Sequence, residues 1–350
     1  MHNEPGPVKK GRDRPASAKP DVVLLGDGPT SLAALRSLAA SCHVVRVLRA
    51  ASDLAADPVR AFAATVGVPV SPLSNLAELT QIVTGMRPDA VVISSFNLIL
   101  PPKILALCQF VNVHYSLLPQ YRGRANVNWA IINGETAVGI SIHHVAPDLD
   151  GGNILFQEAV PIGLNDTVTS LYDRLNAIQE RELGAALIRA VAGDGGIPQD
   201  SAQATYGCTR LPDDGEINWK QPTTALDRLI RALSPPFPGA FTHLETQRVV
   251  VVRAAPVSDP PIYRGRVPGR VVQRSRLEGW VDVLTGDGVL RVFELLPASS
   301  PGPPSKAAEL IRSTRITLGL SRLELLQRIT ALEERFDLLT SGANGKLDPR

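Results

Sequence analysis

The chain's 350 residues, 44% of them hydrophobic, suffice for about two domains with real cores. A formal net charge of only +2 excludes a global field for binding polyanions, so any basic patch must be local. Three scattered cysteines (Cys42, Cys108, Cys208) exclude a disulfide framework or a CxxC zinc site, and no apolar run approaches the ~20 residues of a membrane span.

Residues 1–20 are basic, proline-rich and without an apolar core of the kind a secretory signal carries. They read as a disordered tail on a soluble cytoplasmic protein. From residue 21 onward the pattern becomes regular. Val22 to Leu25 is a buried strand, followed by the Gly26-Asp27-Gly28-Pro29 turn and a helix. "CHVVRVLRA" is a second strand, and "DPVRAFAATVGVPV" a helix leading to a short strand near Val68 to Val70. "LAELTQIVTGMRPDA" is a helix with Gly85 as its expected C-cap, and "AVVISSF" a further buried strand. "PPKILALCQ" opens a short helix on proline, and "FVNVHYS" is the next strand. Continuous Val/Ile runs alternating with helices imply an α/β fold with a Rossmann-like, mostly parallel sheet covered on both faces. In such sheets ligands bind at the carboxyl ends of the strands, where His114 falls.

Two more strands follow in "VGISIHHVAPDLDGGNILFQEAVPI", joined by the turn Asp148 to Gly152, and then a long helix from about Thr167 to Val191. Beyond residue 205 the character changes to short strands with Gly/Pro turns. Thr285-Gly-Asp-Gly288 between alternating apolar runs is a hairpin signal. The predicted organisation is a tail (1–20), a catalytic domain (21–205), a linker helix with a smaller β-barrel-like (OB-like) domain (206–298), and a linker, amphipathic helix and tail (299–350). In the last segment Ser321 and Glu324 have capping-box spacing, and Leu325, Ile329, Leu332, Phe336 and Leu339 recur at 4-3-4-3. That stripe predicts a helix docked on its own protein, with a homodimer through the C-terminal region as the alternative.

Most candidate sites dissolve on inspection. The Gly26–Pro29 turn is neither GxGxxG nor a P-loop, and Pro29 removes an N–H that a phosphate would use. Ser116 has no GxSxG around it and belongs to a Ser-Leu-Leu-Pro turn. His43, His143 and His144 lack metal-ligand spacing, and the last two line strand faces. What remains is Asn112, His114 and Asp150, placed by the topology in neighbouring loops at one sheet edge. A carboxylate holds an imidazole's tautomer and favours its charged form, while an amide stabilises an oxyanion. That set suits attack of an amine on an acyl carbon with no metal and no covalent enzyme intermediate.

These same residues carry a resemblance. "NVHYSLLPQYRGRANVNWAIINGE … GISIHHVAPDLDGGNIL" resembles the folate-dependent formyltransferases, whose Asn-x-His, Ser-Leu-Leu-Pro, Tyr-Arg-Gly and Leu-Asp-x-Gly elements appear in order. The resemblance implies 10-formyltetrahydrofolate as co-substrate and an N-formyltransferase activity. It assigns His114 as general base and acid, Asn112 as the oxyanion donor and Asp150 as the residue that orients His114. Ser95, Phe96, Asn97, Leu98 and Ile99, with Asp148 and Leu149, match where the family lines its pterin pocket. Ser116, Arg122, Gly123 and Arg124 are the expected substrate contacts. The sequence departs from the family at Gly151 and Asn153, where Thr and Asp are usual, and at Asn126, where Pro is common.

For the acceptor, the family's tRNA-binding members carry a long basic insertion after the second strand. Here "LRAASDLAADPVRAFAATVGVPV" holds Arg49 and Arg60 against Asp53 and Asp57, a poor footprint for tRNA. The expectation is therefore a small-molecule amine such as a nucleotide-linked amino sugar, with methionyl-tRNA as the alternative, kept open by Arg264, Arg266, Arg270, Arg274 and Arg276. Formyltetrahydrofolate hydrolysis and a non-catalytic folate-binding scaffold are the lesser readings.

Overall fold

The computed structural model describes residues 18–50, 57–96, 99–298, 302–320 and 322–343. Residues 1–17 of the expected tail, Asp53, and Ser321 of the expected capping box lie outside them. Two compact units divide the chain, Met1–Arg210 and Leu211–Arg350. Among the described residues no helix is long and apolar enough to cross a membrane.

The first unit is built in chain order from β1 (Asp21–Gly26), α1 (Gly28–Ser41), β2 (His43–Ala50), α2 (Pro58–Thr65), β3 (Val70–Leu73), α3 (Leu76–Met86), β4 (Ala90–Ser94), α4 (Pro102–Leu105) and β5 (Gln109–His114). It continues through β6 (Arg122–Gly123), α5 (Asn126–Asn133), β7 (Ala137–His144), β8 (Ile154–Pro161), α6 (Val168–Val191) and β9 (Tyr206–Gly207). Seven strands form one sheet in the order β3-β2-β1-β4-β5-β7-β8. The first five are parallel, while β7 and β8 run antiparallel. The α/β class and the mostly parallel sheet expected above are both present. All six residues of β1 and all five of β4 are buried, as strands covered on both faces require. Each fully buried Leu or Val there stabilises by about 1.5–3 kcal/mol, which fixes the strand ends that carry the site.

Local signals explain most boundaries. Asp57 caps α2 by accepting from the Val59 N–H at 3.0 Å, and Pro58 follows at the first helical position. Thr167 and Ser170 form a reciprocal capping box at the start of α6. One boundary differs from the reading above. Gly85 lies inside α3, and the C-cap is Arg87, at φ +50°. Pro88 is the reason, because the residue before a proline is driven out of the right-handed helical region.

The second unit comprises α7 (Thr223–Ala232), β10 (Ala240–Leu244), β11 (Gln247–Pro256), β12 (Val271–Arg274), β13 (Val281–Leu284), β14 (Val289–Pro297), β15 (Ser305–Lys306), α8 (Ala307–Leu310) and α9 (Arg322–Ala343). Its strands form an antiparallel sheet in the order β10-β11-β14-β13-β12, with β15 on β14. Trp219, Leu226, Ile230, Val251, Val283 and Leu295 lie in its core. The predicted hairpin joins β13 to β14, and Asp287 within it accepts from both N–H and hydroxyl of Thr223, at 2.8 and 2.9 Å. These donors hold the Asp287 carboxyl below its ordinary pKa, the Thr223 N–H most of all. The docking expected of α9 is not found: its described side chains from Leu325 to Thr340 are all exposed.

Candidate active site

β1, β4 and β5 end side by side, with Gly26 opposite Ser94 and Ser94 opposite Val113. A cavity of about 850 Å³ opens there, within the range of small-molecule sites. Its walls are Asp27, Gly28 and Thr30 of the β1–α1 turn, Ile93–Phe96 at the end of β4, Asn112–Tyr115 of β5, Gly123–Val127, and Val145–Asp150 of the β7–β8 loop. The Gly26–Pro29 turn, read above as only a tight bend, thus contributes to the site.

Asn112, His114 and Asp150 converge on this cavity. Nδ1 of His114 lies 3.6 Å from Oδ2 of Asp150, and the Asn112 amide nitrogen donates to Asp150 Oδ1 at 3.4 Å. Asp150 Oδ2 also accepts from the Gly123 backbone N–H at 2.9 Å. Nε2 of His114 is 2.8 Å from the Tyr121 carbonyl, which can only accept, so Nε2 carries the proton. The atom of the Asn126 amide facing Nε2 at 2.9 Å is then its oxygen, with the amide nitrogen donating to the carbonyls of Arg124 and Tyr121 at 3.0 and 3.1 Å. The imidazole is held in one tautomer, and its lone pair sits on Nδ1, beside the carboxylate. Asn126, a mere departure from the family pattern in sequence, turns out to be a direct partner of His114.

The backbone is forced around this cluster. Ser95, Tyr121, Ala125 and Asp150 are all left-handed, with φ between +48° and +57°. Non-glycine residues hold that conformation only where the surroundings impose it, at about 1–2 kcal/mol each. Gly152 is obligatory for a different reason: a Cβ there would fall 1.8 Å from the His144 carbonyl oxygen. The close approach folds the β7–β8 loop back so that Asp150 reaches the β5 side chains.

The other expected contacts divide. Ser95, Phe96, Ile99, Asp148 and Leu149 line the cavity, as do Gly123 and Arg124. Asn97 and Leu98 lie outside the described residues. Ser116 and Arg122, expected to touch substrate, are corrected: both are buried and neither reaches the cavity. The Ser116 hydroxyl donates to the Gln120 carbonyl at 2.8 Å, closing the turn. Arg122 donates to Gln199 Oε1 at 2.8 Å, and Gln199 in turn donates to the carbonyls of Asp150 and Gly152, each at 2.7 Å. Arg122 therefore braces the loop that carries Asp150 from beneath.

His143 is the residue that sequence reasoning missed. It faces Asn112 across the antiparallel β5–β7 pairing, a register that one strand's sequence does not reveal. Its Nδ1 donates to the His144 carbonyl at 2.8 Å, leaving Nε2 to accept from the Asn112 amide at 3.1 Å. Burial, reinforced by the nearby His114, pushes the His143 pKa down to about 4, even though Asp150 Oδ1 is only 3.8 Å away. A folded-state value below the unfolded ~6.5 means that the unfolded chain binds more protons between those limits. The stability tied to neutral His143 is full above about 6.5 and is lost as pH falls toward 4, at up to about 1.4 kcal/mol per pH unit. Calorimetry from pH 7 to 5 is expected to show a steeper fall in Tm for the native chain than for His143→Met. Equal slopes would contradict the assignment.

A family model described as formyl transferase matches residues 36–190, and one described as formyl transferase, C-terminal domain, matches residues 211–314. A methionyl-tRNA formyltransferase of Marinobacter nauticus is 34% identical over 259 residues, spanning 73% of this chain and 80% of its own. Another, of Moorella thermoacetica, is 33% identical over 306 residues, spanning 82% and 94%. Among solved structures, WlaRD, a sugar 3N-formyl transferase in the presence of dTdp and 5-N-Formyl-THF, matches with a TM-score of 0.57 at 16% identity. The match covers 81% of this chain and 100% of that one, and it bears on the fold alone.

Proposed function

The chain belongs to the formyl transferase family, and we propose that it moves the formyl group of 10-formyltetrahydrofolate to the amino group of methionyl-tRNA. The observation that carries the acceptor is likeness along the chain. Five curated relatives, 33% to 35% identical over 68% to 82% of this chain, are methionyl-tRNA formyltransferases. That finding overturns the small nucleotide-linked amine expected from sequence. The expectation had weighed the charge of a single segment. Within that segment Arg49 is buried against Asp57 at 3.1 Å, and Arg60 lies 3.8 Å from the same carboxylate. Arg49 is committed to the fold while Arg60 stays half exposed, so the charge of this one segment weighs less than likeness along the whole chain. The arginine run of the second unit is partly committed too. Arg266 donates to the carbonyls of Thr285 and Gly288, Arg270 to the Thr317 hydroxyl, and Arg274 to the carbonyls of Arg312 and Ala308. In this reading Arg124, exposed at the cavity, meets a phosphate of the acceptor.

In this reading the pterin of the donor lies along Ser95, Phe96, Ile99, Asp148 and Leu149, with the formyl carbon near Asn112. The amine nitrogen attacks that carbon and the carbonyl becomes an oxyanion. The Asn112 N–H that only loosely engages Asp150 turns to the oxyanion, while His143 keeps the amide from flipping. His114 takes the amine proton on Nδ1, and the resulting imidazolium is held by Asp150. When the bond from the formyl carbon to N10 of the folate breaks, the oxyanion re-forms the carbonyl, His114 returns its proton to the departing nitrogen, and tetrahydrofolate leaves.

Tetrahydrofolate release from 10-formyltetrahydrofolate, measured with methionyl-tRNA, with nucleotide-linked amino sugars and with no amine, tests the reading. The expected kcat/KM for methionyl-tRNA exceeds that for any amino sugar by at least about 100-fold, a difference of roughly 2.7 kcal/mol. Equal turnover without amine would make the protein a hydrolase, and no turnover with any acceptor would remove the proposal.

A further inference from the structure

α9 differs from the other long helices in burying none of its described side chains between Leu325 and Thr340. Leu326, Ile329, Leu332, Phe336 and Leu339 are each half or more exposed. A helix of 22 residues, about 33 Å long, gains little from propensity alone, and such an apolar surface marks something that covers it. Gln327, Arg328 and Ala331 border a groove shared with Glu245 and Thr246 of the β10–β11 turn.

The stripe itself says what covers it. Leu325, Ile329, Leu332, Phe336 and Leu339 step by 4, 3, 4 and 3, which is the d-a-d-a-d order of a heptad seam. A 3.5-residue period keeps a seam against one straight partner along its whole length, and the exposure of the stripe, rather than its spacing, shows that its own chain does not supply that partner. Leu recurs at every d, and of the two a positions Ile329 fills one and Phe336 the other; Leu at d with Ile at a favours two parallel strands. The flanking charges choose the orientation. Arg328 is at g and Glu333 at the following e, so a parallel, in-register pair brings Arg328 against the partner's Glu333, and the reverse, twice over. An antiparallel pair would instead set g against g and oppose Arg328 to the partner's Arg335.

We propose that α9 is a dimerisation segment whose Leu325–Leu339 seam pairs with that of a second copy of this chain as a parallel two-stranded coiled coil. The proposal is independent of which amine is formylated. It is tested on the full chain by sedimentation equilibrium between about 1 and 100 µM, together with oxidative crosslinking. The native chain is expected to reach a dimer in that range. Leu332→Glu, which places a charge in the seam of an exposed helix, is expected to remain monomeric while keeping the near-ultraviolet circular dichroism of the native chain. Leu339→Cys, in a background with Cys208→Ser, is expected to form an interchain disulfide, because d faces d only in a parallel register. A native chain that is monomeric at 100 µM overturns the proposal. So does a dimer that survives Leu332→Glu, whose interface must lie elsewhere, and so does a dimer that Leu339→Cys fails to crosslink, whose helices must run antiparallel.

Discussion

His114→Ala is expected to lower kcat for formyl transfer by about 10²–10⁴-fold while leaving the fold and the binding of folate intact. The size follows from the position of the side chain. Its Nε2 proton is fixed on the Tyr121 carbonyl and the Asn126 amide oxygen, so the only basic atom is Nδ1, presented to the cavity next to Asp150. Alanine removes the base and supplies no other. The fold survives because β5 is held by its pairing with β4 and β7 and by Phe110, Val111 and Val113, not by the imidazole at its end. Steady-state kinetics with circular dichroism checks this. Activity within tenfold of native, in a folded protein, would remove His114 as the base.

Asp150→Asn is expected to lower kcat by about 10²–10³-fold with a much smaller effect on KM. The substitution keeps the size of the side chain, and asparagine tolerates the left-handed backbone at φ +48°. What it changes is charge and acceptor count. One oxygen replaces two, so the amide cannot accept from both the Gly123 N–H and the Asn112 amide, which now occupy separate oxygens. The protonated His114 loses its counter-charge at 3.6 Å just when the reaction requires it. If KM rises while kcat holds, Asp150 is a binding residue and the account of its role is wrong.

Much of this was legible in the sequence, for identifiable reasons. β1 and β4 announced themselves because strands covered on both faces must be continuously apolar. Asn112, His114 and Asp150, which line one cavity, were picked out because Asn112 and His114 are polar at the end of such a run and Asp150 lies in the turn after β7, where packing gives no reason for them. Three things stayed hidden. His143 sits in a strand whose alternation only predicts which face it takes, and its pairing with Asn112 depends on the antiparallel register of β7. Arg122 and Ser116 carry polar groups in a loop of the right composition, yet both are turned inward to brace that loop. The exposure of α9 was not legible either, since an apolar stripe has the same spacing whether it meets its own chain or another.

The most direct test of the central claim follows the formyl carbon itself. 10-Formyltetrahydrofolate labelled at that carbon is incubated with the enzyme and methionyl-tRNA, the tRNA is deacylated, and the label is located. The account predicts that the label is recovered on the amino group of methionine, and that with His114→Ala almost none is. Label appearing as free formate, or remaining on the folate while methionyl-tRNA stays unmodified, would contradict it.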